Sequence, residues 1–174
     1  MREMGVRFTV LVPEGVPEEL AGAAPQVLAM QNAQRKARAI AGRHPDGLVV
    51  GADTIVVLNG AVFGKPRDMA EAESMLARLS GHRHDVFTGV CIIHHVMETE
   101  LTFAERTGVW MRALSVAQIR DYFTKVNPLD KAGAYGAQEH GELIIERVEG
   151  SFSNVMGLPV ERLRASLAKL GLMV

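Results

Sequence analysis

A single cysteine, Cys91, leaves the chain without an internal disulfide, so its stability has to come from packing. Cys91 sits in the apolar run GVCII, which reads as a buried strand and favours a structural thiol over a nucleophile. Aromatic residues are scarce at 5%, and the formal net charge is only -1. A nucleic-acid groove needs an extended basic field and stacking platforms; with neither in the composition, no nucleic-acid partner is expected. No stretch approaches the ~20 apolar residues of a membrane span, and the opening MREMGVRF has no signal-peptide hydrophobic region. The expected location is therefore the cytoplasm, with no membrane partner. No repeat, low-complexity tract or linker divides the 174 residues, which suit one domain over the whole of 1–174.

What is present alternates between the two periodicities of regular structure. RFTVLV (7–12) is a short β-rich run stopped by Pro13, followed by a loop dense in Pro, Gly and Glu. Val27, Met30, Ala33, Ala37 and Ile40 fall at helical spacing, which predicts a helix over 25–41 with Gly42 beyond its end and Lys36 at the border of the buried face. LVVGADTIVVL (48–58) is a nearly continuous apolar strand, and Asn59-Gly60 turns it into a hairpin returning over 61–63. Asp68 and Glu71 have capping-box spacing ahead of a helix over 69–79. Two β runs, 84–96 and 98–111, pair around a turn at Met97. Ser115 and Gln118 open a helix with Val116, Ile119, Phe123 and Val126 on one face, which stops before Pro128. A strand over 143–148, a loop over 149–157 and a helix begun by Pro159 complete the order. This alternation predicts an α/β fold, a mixed twisted sheet with flanking helices.

A carboxylate inside an apolar strand costs several kcal/mol to bury unless paired or bound to a cation, so Asp53 in VVGADTIVV is the leading site candidate. The alternative is a carboxylate held by backbone N–H groups. Gly51, two residues earlier, lets another group approach the backbone. Lys65, between Gly64 and Pro66, is placed for a phosphate contact or is simply a solvated turn lysine. Lys36 and Lys131 carry the same pair of readings. Glu14, Glu18 and Glu19 read as solvated charge unless one shares a metal with Asp53. Gln138 in AGAYGAQEHG offers donor and acceptor together to a heterocyclic base. His82 and His84 share a strand face, but a third ligand for a transition metal is not evident.

The blocks VVGADTIVVLNGAVFGKP, LSGHRHDVFTGV, NPLDKAGAYGAQ and NVMGLP, in this order and over nearly the whole chain, closely resemble the Maf proteins. That resemblance implies a fold related to inosine triphosphate pyrophosphatases, with two lobes around a nucleotide cleft and frequent dimerisation. It implies cleavage of the α–β phosphoanhydride of a nucleoside triphosphate, assisted by Mg²⁺, Mn²⁺ or Co²⁺. By position, Asp53 is similar to the family's general base and metal-linked carboxylate, Glu18 to its second acidic residue, Lys36 and Lys65 to its helix and GKP lysines, and Thr54 to a residue that tunes base choice. Lys131 and Gln138 fall in the block where Gln138 resembles the subgroup acting on dTTP and UTP rather than 7-methyl-GTP.

The departures are specific. Family members begin with an apolar strand and a Ser-x-Ser-Pro-Arg-Arg turn that grips phosphates, whereas here no serine precedes Ser74 and the opening resembles the end of the helix after that turn. The resemblance therefore implies a domain incomplete at its N-terminus, and with it an alternative function, a non-catalytic nucleotide-binding protein. Asn127 stands where an acidic residue is usual, and Glu139 where glycine usually follows the glutamine.

Overall fold

The computed structural model describes residues 5–172. The comparison of the opening with a helix end lies partly outside them; from Gly5 onward no helix forms before Pro25. Nor does RFTVLV form a strand. It meets no sheet edge, and Val10 and Val12 stand 75% and 82% exposed. A β-prone hexapeptide without a neighbour to satisfy its backbone has nothing to hold it extended in a ladder.

Five strands form one sheet in the order β2-β1-β3-β4-β5, and every described pairing is antiparallel. They are β1 (Val49–Leu58), β2 (Ala61–Phe63), β3 (Arg83–His94), β4 (Thr99–Met111) and β5 (Ile145–Glu149). Asn59 and Gly60 take φ of 50° and 80°, the paired left-handed conformations of a tight hairpin turn, and so join β1 to β2. A 3₁₀ turn, His95–Met97, joins β3 to β4. Because β2 covers only Val56–Leu58, the stretch Val49–Ile55 pairs with β3 on one side and with no described strand on the other. That open edge positions the site.

Helix α1 (Pro25–Ala41) lies on one face of the sheet. Its buried stripe is Leu28, Ala29, Asn32, Ala33, Ala37 and Ala41, rotated from the expected one so that Val27, Met30 and Ile40 are only partly covered. The rotation follows volume: small residues on α1 let it settle onto Gly51 and Gly89, where an added Cβ would come within 2.6 Å of Ala33 O and 2.2 Å of Ala29 O. Residues 51, 53, 55 and 57 of β1 face α1, and even-numbered residues face the other layer.

That second layer holds α2 (Met69–Leu79), α3 (Val116–Lys125), α4 (Phe152–Val155) and α5 (Val160–Lys169). Asp68 caps α2 by accepting from Glu71 N at 2.8 Å, and Ser115 with Gln118 forms the expected capping box on α3. Val56, Leu76, Leu79, Val86, Val109, Ile119 and Tyr122 meet in the largest apolar cluster. On α3 the buried residues are Ile119 and Tyr122, while Val116 is 51% exposed, because the first turn projects past the core. The stretch 149–157, expected as loop, contains α4; at one turn it is too short to show helical periodicity. Cys91 is fully buried against α1. Among the described residues no helix is long and apolar enough to cross a membrane.

Candidate active site

Adjacent residues of a strand point to opposite faces, so Asp53 lies on the α1 face of β1 and Thr54 on the other. Both nevertheless line one cleft of about 400 Å³, within the range of small-molecule sites. This is possible because the cleft opens along the uncovered edge of β1 and wraps both faces. Glu18, Lys36, Lys65, Lys131 and Gln138 line the same cleft, so the residues matched to the Maf pattern converge, whereas Glu14, Glu19, His82 and His84 lie outside it.

The polar centre is a shared ammonium. Lys36 Nζ lies 2.5 Å from Asp53 Oδ1 and 2.6 Å from Glu18 Oε1, and Lys65 Nζ lies 3.1 Å from the same Glu18 oxygen. Lysines expected to face a phosphate are thus held, in this arrangement, by carboxylates. Asn32 locks the assembly: its Nδ2 donates to Asp53 Oδ2 and to Glu19 O, both at 2.9 Å, while its Oδ1 accepts from Glu19 N at 2.9 Å. The Pro-rich loop is thereby pinned to α1, and Leu20 packs where any side chain at Gly64 would fall, 2.7 Å from its Cδ1. Glu18 lines the cleft and pairs with Lys36 and Lys65; Glu14 is exposed, and Glu19 pairs with Arg35. Sequence reasoning passed over Asn32. The signal available was a polar residue one helical turn before Lys36, on the same face.

Burial pushes the Asp53 carboxyl above its ordinary range, the Lys36 ammonium and the Asn32 amide pull it back only in part, and Glu18 adds repulsion. Burial also raises Glu18, but Lys36 and Lys65 outweigh it and hold that carboxyl low. Burial disfavours the Lys36 ammonium, and its bonds to Asp53 and Glu18 more than restore it. Lys36 is therefore a fixed cation between one firmly ionised carboxylate and one with heightened proton affinity.

The far wall is the segment after α3. Lys131 Nζ contacts Asp130 Oδ1 at 2.9 Å and Glu139 Oε1 at 3.2 Å, so the glutamate in place of glycine after Gln138 is tied to a lysine. Buried Tyr122 holds this wall: its hydroxyl accepts from Gly136 N at 3.1 Å and donates toward Gly136 O and Glu139 O. Gln138 is left exposed to the cleft.

His84 belongs to the core rather than to a metal site: its Nε2 is 2.7 Å from Tyr135 Oη, and its Nδ1 is buried without a partner. Burial pushes its imidazole down to about 4 from an ordinary 6.5, with Asp85 and Arg83 as smaller, opposed influences. A folded value below the unfolded one means stability fully present above 6.5 and lost as pH falls toward 4. At ~1.4 kcal/mol per unit, the loss is about 3 kcal/mol. Urea unfolding at pH 7, 5.5 and 4.5 is expected to show it, with a flatter profile for His84→Gln; equal slopes for the two proteins would assign the loss to other groups.

The oxygen donors fit a divalent cation. Asp53 Oδ1 and Glu18 Oε1 already converge on one positive charge, and two carboxylates completed by phosphate oxygens and water are a set that Mg²⁺ accepts. Among the described residues no group of three His, Cys, Asp or Glu side chains could hold a metal by itself.

The family model described as Maf-like protein matches residues 1–170. The chain belongs to the Maf family. Within it, this Maf chain is 40% identical over 171 residues to the dTTP/UTP pyrophosphatase of Carboxydothermus hydrogenoformans, covering 98% of this chain and 91% of the relative. It is 44% identical over 171 residues to that of Symbiobacterium thermophilum, covering 98% and 87%. It is 44% identical over 157 residues to that of Deinococcus radiodurans, covering 90% and 79%. The four sequence blocks that carried the Maf resemblance lie on β1–β2, the α2–β3 junction, the Lys131–Gln138 wall and α4.

Proposed function

We propose that this protein is a nucleoside triphosphate pyrophosphatase that converts dTTP or UTP to the monophosphate and pyrophosphate. The observation carrying this reading is the Lys36 ammonium bridging Asp53 and Glu18 in a cleft open on both faces of β1. Relatives that bear the name dTTP/UTP pyrophosphatase support the substrate.

Lys36 and Lys65 are ready to exchange Glu18 for triphosphate oxygens, exchanging one negative partner for another. Asp53, with its raised proton affinity, accepts the proton of a water as that water's oxygen bonds to the α-phosphorus. The bond from that phosphorus to the bridging oxygen breaks, and pyrophosphate leaves. A divalent cation, when bound, would be held by Asp53 and Glu18 and would neutralise phosphate charge. Gln138 offers its amide to the pyrimidine edge, with Lys131 beside it. A cytoplasmic location and a homodimer belong to the same proposal, the dimer on the Maf resemblance alone.

The test is pyrophosphate release from dTTP, UTP, CTP, 7-methyl-GTP and ITP with Mg²⁺ or Mn²⁺. Turnover is expected to favour dTTP and UTP by about tenfold or more over the others. Nucleotide binding with no release from any of them would replace this reading with a non-catalytic nucleotide-binding protein.

A further inference from the structure

Thr54 and Thr88 face each other across the β1–β3 register, and their hydroxyl oxygens are 2.9 Å apart. Thr88 Oγ1 also lies 3.0 Å from the backbone carbonyl oxygen of Asn154 in α4. Each of these oxygen–oxygen contacts needs a proton between its two atoms, and a carbonyl has none to give. The single proton of Thr88 therefore goes to Asn154 O. The proton between the two threonines must then be Thr54's own.

The rest of the site keeps this direction. Thr88 is fully buried, so water does not compete for its proton. Asn154 cannot turn away: its carbonyl also accepts from Gly157 N at 3.0 Å, and its side chain donates to Val86 O at 3.2 Å and Thr107 Oγ1 at 3.0 Å. Thr54, by contrast, is half-exposed and lines the cleft. Its proton is committed behind it, so it presents only lone pairs to whatever lies there. Gly157 leaves this side of its oxygen clear, because a Cβ at that position would lie against it at 3.5 Å.

We propose that Thr88 is a positioning residue that fixes Thr54 as an acceptor-only hydroxyl, and that this selects the imide N–H of uracil or thymine over the bare ring nitrogen of cytosine. The inference rests on the pyrimidine triphosphate reading above. Uracil carries a proton on the ring nitrogen between its two carbonyls; cytosine carries a lone pair there. A hydroxyl free to rotate would serve either ring, whereas one whose proton is tied back meets cytosine lone pair to lone pair. The same polarity keeps Thr54 out of the phosphate grip, because phosphate oxygens are acceptors too. A ribose hydroxyl is the other donor that could reach Thr54, and it is common to uridine and cytidine nucleotides.

Calorimetric binding of UMP and CMP, with kcat/KM for UTP and CTP alongside, separates these cases in the wild type, Thr88→Val, Thr88→Ser and Thr54→Val. The wild type is expected to prefer uracil by about tenfold or more. Thr88→Val is expected to bring the ratio toward one chiefly by a gain for CMP, which damage to the fold does not produce. Thr88→Ser keeps the donor and is expected to keep the ratio. Thr54→Val, which removes the acceptor, is expected to weaken UMP and to leave CMP unchanged or slightly tighter. Equal losses for both nucleotides in Thr88→Val, the result of a ribose contact or a purely structural role, overturn the proposal; so does an unchanged ratio in Thr54→Val. Equal binding of UMP and CMP by the wild type overturns it while the pyrimidine reading survives. Binding of neither, with no pyrophosphate released from any pyrimidine triphosphate, removes both.

Discussion

Asp53→Asn is expected to cut pyrophosphate release by about a thousandfold while leaving the protein folded. The amide keeps the shape of the carboxylate and can still accept from Lys36, but its NH2 then faces the Asn32 donor, it cannot take a proton from water, and it carries no charge for a cation. Two roles of one side chain vanish together, which is why the loss should exceed that of Glu18→Gln, where only the ion-pair and cation contribution goes. Stability should change far less. Burial raises the proton affinity of Asp53, so its charge at neutral pH is a cost to the fold that Lys36 and Asn32 offset only in part. Thermal unfolding of Asp53→Asn is therefore expected close to the wild-type temperature, the relieved charge being set against the Asn32 contact that the new NH2 cannot accept. Near-normal turnover would remove Asp53 from catalysis, and a large fall in melting temperature would mean that Lys36 was the structural dependant of that charge.

The second large effect is at a residue that touches no substrate. Gly89→Ala places a Cβ 2.2 Å from the backbone carbon and oxygen of Ala29 and 2.5 Å from Met30 N, so helix α1 must lift from the sheet. Backbone cannot swing aside as a long side chain can, and overpacking of this kind costs about 3 kcal/mol. The melting temperature should fall by about 10 °C in a chain of this size. Because α1 carries Asn32 and Lys36, the same displacement loosens both contacts to Asp53, and kcat should fall before the protein unfolds. Gly42→Ala is the matched control. Its φ of -61° is open to any residue and the nearest atom to an added Cβ is 3.7 Å away, so stability should be unchanged or slightly higher. Equal melting temperatures for the two variants would contradict the packing of α1 described here.

Much of this arrangement was legible in the residues. Pro25 to Gly42 carries a helix-start proline and small apolar residues at helical spacing, and α1 occupies Pro25–Ala41 as expected. Asn59-Gly60 made the β1–β2 hairpin plain, and an acidic residue in the middle of VVGADTIVV marked Asp53 before any geometry was known. RFTVLV failed because β propensity describes a surface awaiting a neighbour, and the neighbour is a tertiary fact. The same reason hid α4, whose single turn is held by Asn154 reaching Val86 and Thr107 on other strands.

The class of fold, the Maf resemblance and the list of groups able to do phosphate chemistry could all be read along the chain, because periodicity, capping and turn chemistry are local and a charge in an apolar strand is conspicuous. How those groups meet is a matter of tertiary packing. Residues 18, 36 and 53 are far apart in the chain, and nothing local makes one ammonium bridge two carboxylates, assigns Asn32 to hold them, or turns the proton of Thr54 toward Thr88. Those outcomes depend on how closely α1 can approach two glycines of the sheet and on which edge of β1 is left uncovered, and both are set by packing across the whole molecule.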